Sequence, residues 1–160
     1  MRRSARALAL AAALAGAGGP AGALSCLRPD PEMAFQRALN AEESYLVVSG
    51  RFVFDPAKMP QGGGDTRAVS VPARFSGSAL TRNGFTVPVS TRLTLRVECL
   101  GPWCGSLDPA EPHLAFLERV PGGYALDVAA CPSFAFARPS DAVLDRMRQC
   151  LLGSPCGNGG

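Results

Sequence analysis

The sequence has little that an enzyme or a metal protein would need. It contains one histidine, His113, and no H-E-x-x-H or paired C-x-x-C motif, so no four zinc ligands lie at the usual spacing. No G-x-S-x-G motif is present, and the carboxylates are scattered. We therefore expect no catalysis and no metal or other cofactor, although a triad that folding builds around His113 is left open.

Positive charge is also scarce outside the first residues. Three of the sixteen basic residues are Arg2, Arg3 and Arg6, which leaves thirteen basic against thirteen acidic residues in the rest of the chain. This balance disfavours nucleic-acid binding, which depends on clustered Lys and Arg. Lys58 is the single lysine, and the Arg-, Ala-, Gly- and Pro-rich composition is typical of a GC-rich bacterial genome.

Long apolar runs are confined to the start of the chain. The early arginines form a basic n-region, residues 7–17 form an apolar h-region, and Ala21-Gly22-Ala23 is a small-x-small cleavage site. We expect 1–23 to be a signal peptide, with a mature chain that starts at Leu24 and is periplasmic or extracellular. No later run reaches the roughly 18 apolar residues of a membrane span, so we expect no transmembrane segment.

Six cysteines follow the cleavage site: Cys26, Cys99, Cys104, Cys131, Cys150 and Cys156. An even number in a small exported chain favours a disulfide framework, but six cysteines allow fifteen pairings. The stretch "GALSC" also loosely fits a bacterial lipobox, so a lipid anchor on Cys26 is an alternative. Acylation would leave five thiols, an odd number, and we favour the disulfide.

The hydrophobic pattern predicts a mainly β domain with a helix at each end. Asp30 and Pro31 begin a helix over about 31–43, and Ser140 caps a second helix that runs to about residue 152. Strands are expected near 45–55, 67–80, 85–99, 113–119 and 124–131, with Asn83-Gly84 as a hairpin signal. Five strands in series favour a five-stranded closed barrel of the OB type over a sandwich. We expect one domain over 24–152 and a flexible tail over 153–160.

Four single features carry smaller expectations. Gly50 is expected at a bend or bulge, and His113 at the solvent edge of its strand. Trp103 is expected to be packed rather than exposed. The glycines of "PQGGGDT" are expected to make a mobile connection, since no phosphate-loop Lys-Ser or Lys-Thr follows them.

Several short motifs occur in a familiar order: Cys26 with "AF" eight residues later, "YLVV", "CGSLD", then Cys131 and Cys150. In this order the chain resembles the netrin-like module, above all the N-terminal domain of the tissue inhibitors of metalloproteinases. The likeness covers nearly all of the mature chain. It implies an OB-type barrel stapled by disulfides.

The resemblance also implies a site. In that family the first cysteine of an N-terminal Cys-x-Cys binds the catalytic zinc of the target protease through its α-amine and carbonyl. Cleavage after Ala23 would place Leu24 at that position, Ser25 between and Cys26 at the second cysteine, so the first cysteine is missing. The implied contact ridge combines these three residues with the 103–107 loop, and its binding residues are Trp103, Gly105 and Ser106. The implied partner is a protein, with a metalloprotease as the family's example.

The same register implies the disulfides. Cys131 matches the partner of Cys26, while Cys104 and Cys150 match the partners of family cysteines that this chain lacks. Cys99 and Cys156 lie close in sequence to these two, so the implied set is Cys26–Cys131, Cys99–Cys104 and Cys150–Cys156. Two other functions stay open: a structural or envelope-assembly module, lipid-anchored or not, and an oligosaccharide-binding OB domain.

Overall fold

A computed structural model of the chain describes residues 26, 28–62, 68–132 and 134–157. Its elements in chain order are α1 (Pro31–Asn40), β1 (Tyr45–Phe54), a 3-10 turn (Pro56–Lys58), β2 (Val69–Thr81), β3 (Gly84–Val97), β4 (Cys99–Leu100), β5 (Trp103–Cys104), β6 (His113–Val120), β7 (Gly123–Val128), β8 (Ala135–Ala137) and α2 (Asp141–Leu151). Among these residues, no helix combines the length and the hydropathy that a bilayer crossing requires.

Five long strands close into a barrel in the order β1-β2-β3-β7-β6 and back to β1. Neighbouring strands are antiparallel except β3 and β7, which run parallel over 93–97 and 124–128. The predicted fold class is therefore confirmed: a mainly β, five-stranded barrel of the OB type with a helix before and after it, and three disulfides.

Two short turns set the register of the barrel. Thr81 pairs with Gly84, so the β2–β3 loop is Arg82-Asn83, and Gly84 takes a φ of 94° as the first residue of β3. The predicted hairpin is present, but its glycine belongs to the strand. Pro121 and Gly122 form the β6–β7 turn, and the φ of 84° at Gly122 suits the third position of a type II turn.

The barrel interior is filled by alternate residues of its strands, as the period of two demands. Its buried members are Val48, Phe52, Val71, Ala73, Phe75, Ala79, Leu93, Leu95, Val97, Ala115, Leu117, Leu126 and Val128. Because the intervening residues of β2 and β3 point outward, these two strands present one apolar and one polar face.

The two helices build a second core on the outside of the barrel. Ala34 and Phe35 of α1 and Met147 of α2 pack against Leu114 and Phe116, the outward residues of β6. Asp30 caps α1 through the backbone N–H groups of residues 32 and 33. Each helix is therefore held by one apolar face, and α1 ends at Asn40, earlier than the expected residue 43.

The structure corrects expectations about two single residues. The β1–β2 register runs unbroken through Gly50, so of the bend and the bulge expected there the bulge is wrong. The solvent-edge position expected for His113 is also wrong. His113 is only 2% exposed and packs edge-on against Phe52, with 5.8 Å between the ring centroids. It points inward because it lies two and four residues before Ala115 and Leu117, and alternate residues of a strand face the same side.

Candidate functional site

A disulfide fixes the start of the described chain to the end of the barrel. Cys26 is bonded to Cys131, with 5.4 Å between the Cα atoms, and Cys26 is exposed. Leu24 and Ser25 lie outside the described residues. The chain segment that leads to α1 is therefore anchored three residues beyond the C-terminal end of β7.

A small hairpin stands beside this anchor. Cys99 pairs with Cys104 and Leu100 with Trp103, and the Cys99–Cys104 disulfide joins the two strands. Gly101 takes a φ of 60° in the two-residue turn, which suits the second position of a type II′ turn.

The end of this hairpin exposes large apolar side chains. Leu100 is 58% exposed and Trp103 is 42% exposed, so the expectation that Trp103 is packed is wrong. We call residues 100–103 the hairpin tip. The turn brings Leu100 and Trp103 opposite one another, because they are cross-strand partners.

Backbone contacts hold the hairpin to the barrel. The N–H of Gly105 donates to the carbonyl of Glu98 at 2.8 Å, and the N–H of Glu98 donates to the carbonyl of Val128 at 3.0 Å. A Cβ on Gly105 would lie 1.8 Å from the Val128 oxygen, so only glycine fits. Gly105 is buried and sets the position of the loop, whereas Ser106 is exposed beside it.

The long β1–β2 connection lies against the other side of the tip. A Cβ on Gly62 would lie 1.8 Å from the carbonyl oxygen of Pro102, so the two backbones touch. Asp55 caps the 3-10 turn by accepting from the N–H of Ala57 at 3.0 Å, and Met59 packs on the barrel core. Gly63 and Gly64, expected to be mobile, lie outside the described residues.

The predicted site residues thus fall into two groups that share one end of the barrel. Gly105 touches Val128, and Cys131, the partner of Cys26, follows only three residues later in the chain. The segment 128–131 therefore links the N-terminal anchor to the hairpin tip. The hairpin is held by a disulfide together with backbone hydrogen bonds and close backbone contacts, whereas the N-terminal segment is held by the Cys26–Cys131 disulfide.

A cluster of charged side chains lies on the outside of β3, β6 and β7. Arg96 binds Asp127 through two hydrogen bonds, of 2.5 and 2.9 Å, and also contacts Glu118. These bonds to Asp127 and Glu118 raise the pKa of Arg96. The two carboxylates are therefore engaged by one guanidinium and are not poised as a general acid and base pair.

The carboxylate of Glu32 lies within 4.8 Å of the sulfurs of Cys150 and Cys156. Those sulfurs form a disulfide, so neither can act as a thiolate ligand. Glu32 accepts instead from Arg146 at 2.9 Å and from the N–H of Gly157 at 3.1 Å. The Arg146 bond, with the Gly157 bond second, lowers the pKa of Glu32. This cluster ties the tail to both helices and leaves no ligand set for a metal.

Comparison with protein-family models, with curated protein sequences and with solved structures finds no match to this chain. The closed barrel and the three disulfides are compatible with a netrin-like module. The pairs are the same three that the resemblance implies.

Leu100 was not among the residues predicted for the site, although a Gly-Pro turn between Leu and Trp, flanked by cysteines, is a hairpin signal.

Proposed function

We propose that this protein is an exported protein that acts by binding a protein partner, rather than by catalysis, and that the hairpin tip is its anchor. The observation that carries the proposal is the exposure of Leu100 and Trp103 on a hairpin clamped by the Cys99–Cys104 disulfide. Tryptophan dominates binding energy at many protein interfaces when a partner pocket covers it.

Rigidity is the second support. A contact surface that is already ordered loses less conformational freedom on binding, so more of the contact free energy appears as affinity. The tip is held by its disulfide, by the Gly105–Val128 contact and by the Gly62–Pro102 contact. A flexible loop of the same composition would bind more weakly.

The resemblance to the tissue inhibitors of metalloproteinases supplies the partner class, a metalloprotease. In this arrangement Leu24, Ser25 and Cys26 would contact the protease together with Trp103 and its neighbours. The Cys26–Cys131 disulfide anchors this segment beside the tip. Because residue 24 is not a cysteine, its amine is not tied to Cys104, and inhibition should be weaker than by a family member with both cysteines.

Partner capture tests the proposal. The oxidised, processed protein serves as bait in the extracellular and periplasmic fractions of its source, beside Leu100→Ala, Trp103→Ala and the control Leu39→Ala. Leu39 is 61% exposed on α1, so its truncation matches that of Leu100 in size and exposure. We expect one protein to be retained by the wild type and by Leu39→Ala and lost with the two tip variants. Equal capture by all four would overturn the proposal.

Trp103 also provides a direct readout, since it is the only tryptophan in the chain. The measurement needs a captured partner whose own tryptophans are absent or do not contribute to the emission. When this partner covers Trp103, the emission of Trp103 should shift to shorter wavelength. An unchanged emission in a saturated complex would show that the tip is not in the interface.

The proposal that the partner is a metalloprotease has its own test. A panel of zinc metalloproteases is assayed on a fluorogenic peptide with the chain that starts at Leu24 and with a chain that carries one extra glycine before it. If the α-amine binds zinc, the extension should abolish inhibition while far-UV circular dichroism is unchanged. Equal inhibition by both chains would refute zinc binding by the amine, and no inhibition by either would refute this partner class.

A further inference from the structure

Two arginines face each other on the outside of the barrel. The β2–β3 register places Arg74 directly opposite Arg92, and the β1–β2 register places Val53 on the other side of Arg74. Their neighbours Ala73, Phe75 and Leu93 point into the core, so the two arginines point outward, and both are exposed. We call the outward side of β1, β2 and β3 around this pair the basic face.

No acidic side chain stands at the outward strand positions around the pair. These positions are Ser49, Arg51, Val53, Pro72, Ser76, Ser78, Ser90 and Thr94. Neither Arg74 nor Arg92 forms an ion pair with another residue that the structure describes. Asp127 on β7 and Glu118 on β6 are engaged by Arg96, and Asp55, just beyond the end of β1, accepts from the N–H of Ala57. Neither arginine of the pair is therefore matched by an acid in the described part of the chain.

Two like charges directly opposite each other on one sheet face destabilise the sheet. Their Cβ atoms are about 4.5–5.5 Å apart in such a pair, so both guanidinium groups can reach one anionic group or two successive ones. Guanidinium forks match carboxylate, sulfate and phosphate groups bidentately. A bound anion would offset the repulsion that the free protein carries.

A hollow of about 190 Å³ adjoins Arg92. It is lined by Thr94 and by the β6–β7 turn, and Tyr124 forms one wall. The guanidinium of Arg119 lies over the Tyr124 ring at 5.5 Å, which adds a third cation beside the hollow. A hollow of this size, with hydroxyl and backbone polar groups around it, suits one sugar unit rather than a drug-sized ligand.

We propose that the basic face binds an anionic carbohydrate chain, with Arg74 and Arg92 holding its carboxylate or sulfate groups and the hollow beside Arg92 receiving a sugar unit. Single-stranded nucleic acid fits less well, because no exposed aromatic ring stands among the outward positions for bases to stack on. Double-stranded nucleic acid would need more phosphate contacts than the four arginines at this face, Arg51, Arg74, Arg92 and Arg119, supply. The site is distinct from the hairpin tip, so it does not depend on the proposed function.

The test compares two double variants of equal charge. Arg74→Gln/Arg92→Gln removes the pair, whereas Arg28→Gln/Arg82→Gln removes two exposed arginines elsewhere. The probes are heparin, a sulfated polysaccharide, and polygalacturonate, a carboxylated one. Binding is measured by isothermal titration at several NaCl concentrations, and circular dichroism checks that each variant is folded.

We expect the wild type to bind at least one probe, the control to bind within about threefold of it, and Arg74→Gln/Arg92→Gln to lose at least tenfold. The slope of log Kd against log salt should also fall by about two, one for each lost contact. Equal weakening of the two double variants would show unspecific attraction and overturn the proposal. Tighter binding to a DNA duplex of matched charge, or to vesicles of phosphatidylglycerol, would overturn it in favour of those ligands, and no binding to either probe would overturn it outright.

Discussion

Gly50 of β1 lies directly opposite Gly77 of β2, and no side chain separates the two backbones. A Cβ built on either glycine would lie 2.6 Å from the Cα of the other. The tip of the Phe75 ring is 2.7 Å from the Cβ position of Gly50 and 2.8 Å from that of Gly77. The glycine pair therefore makes room for Phe75, which is 1% exposed and fills the barrel beside Phe52.

Gly77→Ala should therefore destabilise the protein. The added methyl would meet the backbone oxygen of Ser49 at 2.2 Å, and a backbone atom cannot move aside as a flexible side chain can. Overpacking of this kind should lower the free energy of unfolding by about 1–3 kcal/mol. Urea unfolding at pH 7 measures this change. Ser76→Ala, an exposed neighbour on the same strand, is the control and should change stability by less than about 0.5 kcal/mol. Equal stability of Gly77→Ala and the wild type would show that the two strands can separate without loss.

The Cys26–Cys131 disulfide closes a much longer loop than the other two. Its sequence separation is 105 residues, against 5 for Cys99–Cys104 and 6 for Cys150–Cys156. In the chain-entropy model, a disulfide that closes a loop of about 100 residues stabilises the folded state by about 4.7 kcal/mol, and one that closes a short loop stabilises it less. Cys26→Ser/Cys131→Ser should therefore lower the unfolding free energy by about 2–5 kcal/mol.

The matched control for this disulfide is Cys99→Ser/Cys104→Ser, in which a pair of half-buried cysteines is replaced in the same way. Its loss of stability in urea should be smaller. It should nevertheless weaken capture of a partner, because the hairpin tip loses its clamp. A larger loss of stability in the control than in Cys26→Ser/Cys131→Ser would contradict the loop-length argument.

The strands and the fold class could be predicted because burial leaves a period of two in the sequence. In β3, Leu93, Leu95 and Val97 alternate with polar residues, and all three lie in the core. The starts of the two helices could be predicted because Asp30 and Ser140 each provide a side-chain acceptor for backbone N–H groups of the first turn. These signals are local, so they need no knowledge of which strands are neighbours.

The candidate site was harder to predict, because it depends on contacts between distant segments. The stretch "GPWCGSLDPAEP" looks like a connection, and only the Cys99–Cys104 pair turns it into a hairpin with an exposed tip. The repulsive Arg74–Arg92 pair follows from the β2–β3 register, which composition does not contain. His113 could have been placed inside by its parity with Ala115 and Leu117, but a lone polar residue at a strand start suggested the solvent edge.

The buried histidine makes stability depend on pH. Burial lowers the pKa of His113, and this effect exceeds the opposing influence of the Glu111 carbonyl, Asp108 and Glu111, while Arg51 lowers the pKa further. Nδ1 lies 3.0 Å from the Glu111 carbonyl oxygen, so the neutral tautomer with its proton on Nδ1 donates to it. The folded state thus resists protonation, whereas the unfolded state takes up a proton near the ordinary histidine pKa of 6.5.

Since the unfolded state binds more protons in this window, His113 contributes stability that is present above about pH 6.5 and is lost as the pH falls below it. The urea midpoint should therefore decrease from pH 7.5 to pH 5, whereas His113→Gln should show a smaller decrease over the same range. Glu32 does not interfere, because its lowered pKa makes its contribution to stability decline only below the ordinary glutamate pKa of 4.5. A wild-type midpoint that stays constant to pH 5, or one that falls equally in His113→Gln, would show that His113 is not the group responsible.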